Sequence, residues 1–284
     1  MRDLKGRLDL CAINTATLGF QAPINEVIEA VARAGFGGIA PWRREVEGGD
    51  AAATAKQIRD AGLKVTGYCR STYLPSATRA EFLASVEDNR RALEDAAKLS
   101  AFSFFMVVGG LPAGSKDLSV AREQVAEGTA LLLEHARDLG VRLVVEPLHP
   151  LYAADRSCLT TLAEALDLCE RIEPKARKPW LGIGLDVYHV WWDPRLAECI
   201  ARAGKSRRIF GYHVNDWLVP TRDPLNDRGM MGDGVIDLPG VRNAVETAGY
   251  DSFVEVEIFS AANWWRRPMS ESLAVCAQRL QDVC

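Results

Sequence analysis

Residues 141–148 read VRLVVEPL and residues 181–190 read LGIGLDVYHV. The run Val141–Val145, broken only by Arg142, lacks the alternation of a strand with one wet face. It fits a parallel strand covered by helices on both faces. Each stretch also carries a carboxylate where its apolar run stops, Glu146 in the first and Asp186 in the second. Outward from these two, β-type runs recur at Asp9–Thr17, Gly37–Trp42, Lys64–Arg70, Phe102–Gly109, Val141–Leu148, Leu181–His189, Arg208–Asn215 and Ser252–Phe259.

A helical segment follows each run. Ile24, Val27, Ile28 and Val31 keep the i, i+3, i+4, i+7 stripe of an amphipathic helix, as do Leu162, Leu166, Cys169 and Ile172. Leu273, Cys276, Ala277 and Leu280 repeat the pattern near the C-terminus. Gly35, Gly62, Gly140, Gly204 and Gly249 stand where helices end before the next strand, the position that favours a left-handed backbone. Eight such units share 284 residues, about 35 each, which predicts an α/β fold with one (β/α)8 TIM barrel domain over residues 1–284. A doubly wound open sheet is the alternative, but no G-x-G-x-x-G follows the first strand.

The composition, 48% hydrophobic and 25% charged with a net charge of −4, is that of an ordinary folded chain. The mild acidity offers no electrostatic footprint for nucleic acid. No apolar run reaches the length of a membrane span, and MRDLKGRLDL lacks the apolar stretch of a secretory signal. The seven cysteines include no C-x-x-C pair, so neither a disulfide framework nor a thiolate zinc site is indicated. A cytoplasmic setting is the simplest expectation.

In a barrel of this kind the chemistry sits at the C-terminal ends of the strands. Four successive strands carry ligand-type residues there: Glu146, Asp186, His213 and Glu257. Three carboxylates and an imidazole cannot converge as bare groups without strong mutual repulsion, so a cation is expected between them. An oxygen-rich set with one histidine suits one divalent metal ion, Mn²⁺ first, with Mg²⁺ or Co²⁺ as alternatives; Zn²⁺ prefers fewer ligands and more nitrogen or sulfur. Glu255 shares a strand face with Glu257 and is read either as a deeper layer residue or as a partner behind the ligands.

Trp42, Trp191, Trp192, Trp217, Trp264 and Trp265 all fall just past strand C-termini. They are read either as aromatic walls for a sugar, with Trp42 among the substrate contacts, or as core cover and a subunit interface. The latter use would make the chain a homo-oligomer, a dimer or tetramer. The longest connection, WLVPTRDPLNDRGMMGDGVIDLPG, offers Arg222 and Arg228 to a substrate hydroxyl, carboxylate or phosphate. Asn14, His149, Tyr68 and Arg70 are further candidates for substrate contacts.

Taken together, VEPLHP, GLDVYHV, YHVND, MMGDGVIDLP and FVEVEIF resemble the sugar isomerase/epimerase superfamily with the xylose isomerase-like barrel. The resemblance implies a single-metal site at Glu146, Asp186, His213 and Glu257. It also implies an acid/base pair at Glu146 and Glu257 and a substrate-contacting His189 in a D-x-x-H pattern. The implied reaction is isomerisation or epimerisation of a sugar, keto-sugar or keto-polyol through α-proton abstraction and a metal-stabilised enediolate. A lyase or dehydratase on a keto-sugar, keto-glycoside or inosose would share that first step, and a non-catalytic sugar-binding subunit is the contrasting class. The trinuclear zinc cluster of endonuclease IV is not expected, because KVTGYCR and FSFFMVVG carry no histidine and Asp233-Gly234-Val235 lacks one. HVNDWLVPTR also departs from the ketose 3-epimerase pattern after the strand-seven histidine.

Overall fold

Short runs of apolar residues, each followed by an amphipathic helix, close into a ring. The computed structural model describes residues 1–174 and 176–284. Its parallel strand segments are β1 (Cys11–Asn14), β2 (Gly38–Ala40), β3 (Lys64–Val65), β4 (Tyr68–Cys69), β5 (Ser103–Met106), β6 (Arg142–Val145), β7 (Leu181–Asp186), β8 (Ile209–Val214) and β9 (Val254–Val256). The sheet order is β3-β2-β1-β9-β8-β7-β6-β5-β4. Its two ends, β3 and β4, are consecutive pieces of one stave, so the sheet comes round on itself as a barrel. This is the (β/α)8 architecture with its third stave interrupted at Thr66–Gly67, and not an open sheet.

The helices are α1 (Ile24–Arg33), α2 (Arg43–Val46), α3 (Ala51–Asp60), α4 (Arg79–Lys98), α5 (Leu118–Leu139), α6 (Leu162–Ile172), α7 (Val187–Val190), α8 (Leu196–Lys205), α9 (Leu238–Thr247) and α10 (Met269–Asp282). Val27, Ile28 and Val31 of α1 and Leu273, Cys276 and Leu280 of α10 are buried against the barrel, as their spacing predicts. All seven cysteines are free. No helix among the described residues is long and apolar enough to cross a membrane.

The paired strands are shorter than the β-type runs. Asp9 and Leu10 belong to a 3-10 turn, and the run Leu181–His189 ends as strand at Asp186. There the Asp186 carboxylate accepts the Tyr188 N–H at 2.9 Å and caps the turn α7, which holds His189. Gly204 is also corrected. Gly35, Gly62, Gly140 and Gly249 do take positive φ, but Gly204 lies inside α8 and Arg207 supplies the left-handed residue. A Cβ on Gly204 would lie 2.4 Å from the carbonyl oxygen of Ala248, so this glycine serves close packing.

Three glycines on three staves shape the barrel interior. A Cβ on Gly67, Gly184 or Gly211 would approach the Phe105 ring to 2.6, 2.8 and 2.4 Å. Phe105 therefore fills the volume those side chains leave, and its ring stacks on His213 with centroids 4.7 Å apart. The site above rests on this ring.

At the opposite end, Glu173 ties α6 to the starts of β7 and β8. It pairs with Arg208 at 3.0 Å and with Arg137, and it accepts the N–H groups of Trp180 and Leu181. Burial works to raise the Glu173 pKa, but Arg137, the two N–H groups and Arg208 together hold it below the usual carboxylate value. A depressed folded-state pKa means that this stabilisation is present above the unfolded value of about 4.3 and is lost as pH falls through that region. Glu173→Gln leaves the buried Arg208 without its counter-charge and is expected to cost about 3–5 kcal/mol. A urea midpoint unchanged from wild type at pH 7 would contradict this.

Candidate metal centre and active site

The ligand-type residues stand within one residue of the ends of their strands. Glu146 follows Val145 of β6, Asp186 ends β7, His213 is the penultimate residue of β8, and Glu257 follows Val256 of β9. All four are buried, and each offers a ligand atom within 4.8 Å of the others. His213 Nδ1 lies 3.2 Å from Glu146 Oε1 and 3.7 Å from Glu257 Oε2. Among the described residues, Glu146 Oε1 and His213 Nδ1 are buried and have no hydrogen-bond partner beyond these contacts within the cluster. Orphaned buried polar atoms are costly unless something absent from the protein chain satisfies them. An O,O,O,N donor set converging on one point fits a divalent cation.

The electrostatics agree. Burial, the dominant influence, with Glu257 and Asp186 nearby, pushes Glu146 up to about 7 despite its contact with His213. His213 behaves oppositely. Burial works against its charge, yet Glu255, Glu257 and Glu146 together raise its pKa well above the ordinary value. Without a cation, these buried carboxylates favour binding protons.

Glu255 lies behind the four clustered residues. Its Oε1 lies 3.3 Å from His213 Nε2, and the carboxylate accepts hydrogen bonds from Asn14 Nδ2 at 3.0 Å and Thr66 Oγ1 at 2.6 Å. Held there, it keeps the other imidazole nitrogen turned toward Glu146. Asn14 is therefore spent behind the cleft: its Oδ1 accepts from Trp42 Nε1 at 2.6 Å, and it is fully buried. That corrects its reading as a substrate contact.

The arginines separate cleanly. Arg228 Nη1 donates to Asp186 Oδ2 at 2.7 Å and to Glu257 Oε2 at 3.0 Å, and the guanidinium lies between the rings of Tyr188 and Phe259. Two isolated bridges aim it, Asp216 to Gly229 and Asp227 to Ser260, which fold the long loop back across the exits of β8 and β9. The Asp216 carboxylate binds the same loop by accepting N–H groups from Gly232, Gly234 and Ile236. Burial opposes the Asp186 charge, but Arg228 and the two histidines outweigh it and leave its pKa lowered. Arg222, by contrast, is exposed and folds onto Asp227, away from the cleft.

His189 and Trp42 line the cleft with Glu146, Glu257 and Arg228, while His149 does not. Instead the His149 backbone N–H donates to His189 Nδ1 at 3.2 Å, and its ring stacks on Trp217. With Nδ1 accepting, the proton of the neutral His189 ring is on Nε2, 3.7 Å from Asp186 Oδ2 and 3.2 Å from Arg228 Nη2. Burial pushes His189 down to about 3, so it stays neutral at pH 7. Two donors, Nε2–H and Nη2–H, thus face one space, which calls for an acceptor oxygen. Of the tryptophans, Trp191 and Trp217 pack on each other and Trp265 packs on Phe20 and Phe259; Trp42 reaches the cleft.

Asn215 was missed. Its Nδ2 donates to Asp186 Oδ1 at 2.8 Å and to the Glu257 carbonyl at 3.0 Å, bridging two ligands from different strands. The signal was available, since Asn215 stands two residues past His213.

With this geometry in place, comparison with known proteins is informative. Residues 28–278 match the family described as xylose isomerase-like TIM barrel. The chain belongs to this family. The expected barrel and the resemblance that implied it are both borne out. Protein SMc04130 from Sinorhizobium meliloti 1021 is 48% identical in sequence, with a TM-score of 0.94 and coverage of 98% of this chain and 99% of that one. The IOLI protein with a bound zinc atom superposes at 0.82 with 17% identity over 96% of this chain and 97% of its own. A 3-keto-D-glucoside 4-epimerase from E. coli superposes at 0.71 with 17% identity over 93% and 97%. At these lower identities the likeness concerns the fold. No match is found among curated proteins.

Proposed function

We propose that this xylose isomerase-like barrel is a divalent-metal-dependent isomerase or epimerase of a sugar, keto-sugar or keto-polyol. The observation that carries the reading is the buried convergence of Glu146, Asp186, His213 and Glu257, each offering a ligand atom within 4.8 Å of the others. A divalent ion held by these four would polarise a substrate carbonyl or hydroxyl and stabilise the negative charge that develops when the neighbouring carbon loses a proton. The donor set favours Mn²⁺, Mg²⁺ or Co²⁺. The IOLI protein, which shares the fold, binds a zinc atom, in keeping with a metal-dependent reading.

The protein's own residues account for the rest. Glu146 and Glu257 come from strands separated by β7 and β8, so they approach a substrate from different sides. One takes the α-proton and the other returns a proton to the adjacent atom or the opposite face. Arg228 holds Glu257 in place, while Asn215 and Arg228 hold Asp186. His189 Nε2–H and Arg228 Nη2–H donate to a substrate oxygen. Phe105 closes the floor against water from below.

The test is solvent-deuterium incorporation by the Mn²⁺-loaded protein across ketoses, inososes and 3-keto-glycosides. Deuterium is expected at one carbon next to a carbonyl, and chelator is expected to abolish the exchange. An unsaturated or cleaved product would move the assignment to a lyase with the same first step. Full turnover in chelator, or turnover without deuterium entry, would overturn the proposal.

A further inference from the structure

The cleft that holds Glu146, Glu257 and Arg228 is also lined by Arg70 and Arg156. Arg228 is neutralised by Asp186 and Glu257, but these two are not. Among the described residues, the Arg70 side chain has one hydrogen bond, Nη1 to the Ser71 carbonyl at 3.2 Å, and otherwise lies over the Tyr73 ring at 4.7 Å. The Arg156 guanidinium lies over the Tyr152 ring at 5.8 Å, and among the described residues no ion pair involves it. Both are half-buried, and stacking on tyrosine restricts their freedom without using their N–H groups.

Two guanidiniums facing one cleft without a counter-charge repel each other. The Arg70 pKa lies below the ordinary arginine value because of burial first, with Arg156 and Arg43 as nearby like charges. Elsewhere in this protein the half-buried Arg43 and Arg202 are paired with carboxylates, while Arg142 lies over the rings of Phe102 and Phe210 on the far side from the cleft residues. The cleft is therefore polarised, with carboxylates on its floor and two uncompensated cations at its side. A planar, multi-donor pair of this kind matches a carboxylate or a phosphate.

We propose that the substrate carries an anionic group, a carboxylate or a phosphate, which Arg70 and Arg156 bind while the reacting end lies over Glu146 and Glu257. The inference rests on the sugar-acting reading above and narrows its substrate class to an acidic or phosphorylated sugar. Neutral ketoses would then be poor ligands of the same site.

The test compares three probes on the Mn²⁺-loaded protein by calorimetry: fructose, fructose 6-phosphate and fructuronate. One of the two anionic probes is expected to bind at least about tenfold tighter than fructose, the scale of one charge-assisted hydrogen bond. Which of the two gains identifies phosphate or carboxylate. Arg70→Gln and Arg156→Gln are each expected to erase that advantage, and the matching lysine variants to restore part of it. The Mn²⁺-induced rise in melting temperature is expected to remain as in wild type, which shows that the variants fold and load metal. No preference for either anion, or a preference that survives both glutamine variants, would overturn the proposal. Loss of metal dependence or of deuterium exchange would sink the reaction reading instead, so the two failures are distinguishable.

Discussion

Glu257→Gln is expected to keep substrate binding while lowering kcat by about 10²–10⁴-fold, the usual contribution of a general acid or base. Glutamine preserves the shape of Glu257 and one oxygen for a cation, and it keeps an acceptor for Arg228 Nη1, which now lies 3.0 Å from Oε2. What it removes is the lone pair basic enough to take a proton. The discriminating readout is deuterium exchange at the α-carbon, which should fall with kcat, while calorimetric affinity for substrate changes little. Exchange within a few-fold of wild type would show that Glu257 holds the ion without moving protons. Glu146→Gln is the natural companion, since Glu146 is the other carboxylate of the proposed acid/base pair.

Chelator-stripped protein is expected to gain about 5–10 °C in melting temperature when Mn²⁺ is added to a hundred times its dissociation constant. That estimate combines about 2.7 kcal/mol of binding stabilisation with about 2–4 °C per kcal/mol for a chain approaching this size. The physical source is relief of repulsion among Glu146, Asp186 and Glu257, of which Arg228 pairs with the last two. His213→Ala should remove most of the gain by deleting a ligand and leaving Glu255 without the imidazole it faces at 3.3 Å. A wild-type melting temperature indifferent to Mn²⁺, Mg²⁺, Co²⁺ and Zn²⁺ alike would rule out the metal centre.

Much of this site was legible before any coordinates. Ligand-type residues at strand ends are found by counting strands, because a parallel barrel places every strand's C-terminus on the same rim. Loop residues obey no such rule. Arg222 and Arg228 are equivalent by composition, and only the bridges from Asp216 and Asp227 decide that one enters the cleft and the other folds back on the surface. Asn14 and His149 stand at the right depth but face the wrong way, since each is used to hold another residue: Trp42 and Glu255 for Asn14, His189 for His149. A side chain's depth follows from strand register, whereas its direction follows from what it packs against.

The same division holds for the whole protein. The sequence by itself determined the barrel, the order of its units and the metal-type quartet, because periodicity and strand ends are one-dimensional properties. Only the tertiary structure decided that the third stave breaks, that Phe105 fills the space left by Gly67, Gly184 and Gly211, and that Arg70 and Arg156 stand without counter-charges beside the acidic floor. Those features depend on distances between residues remote in the chain. Close packing and unscreened charge act over a few ångströms in space, whatever the separation in sequence.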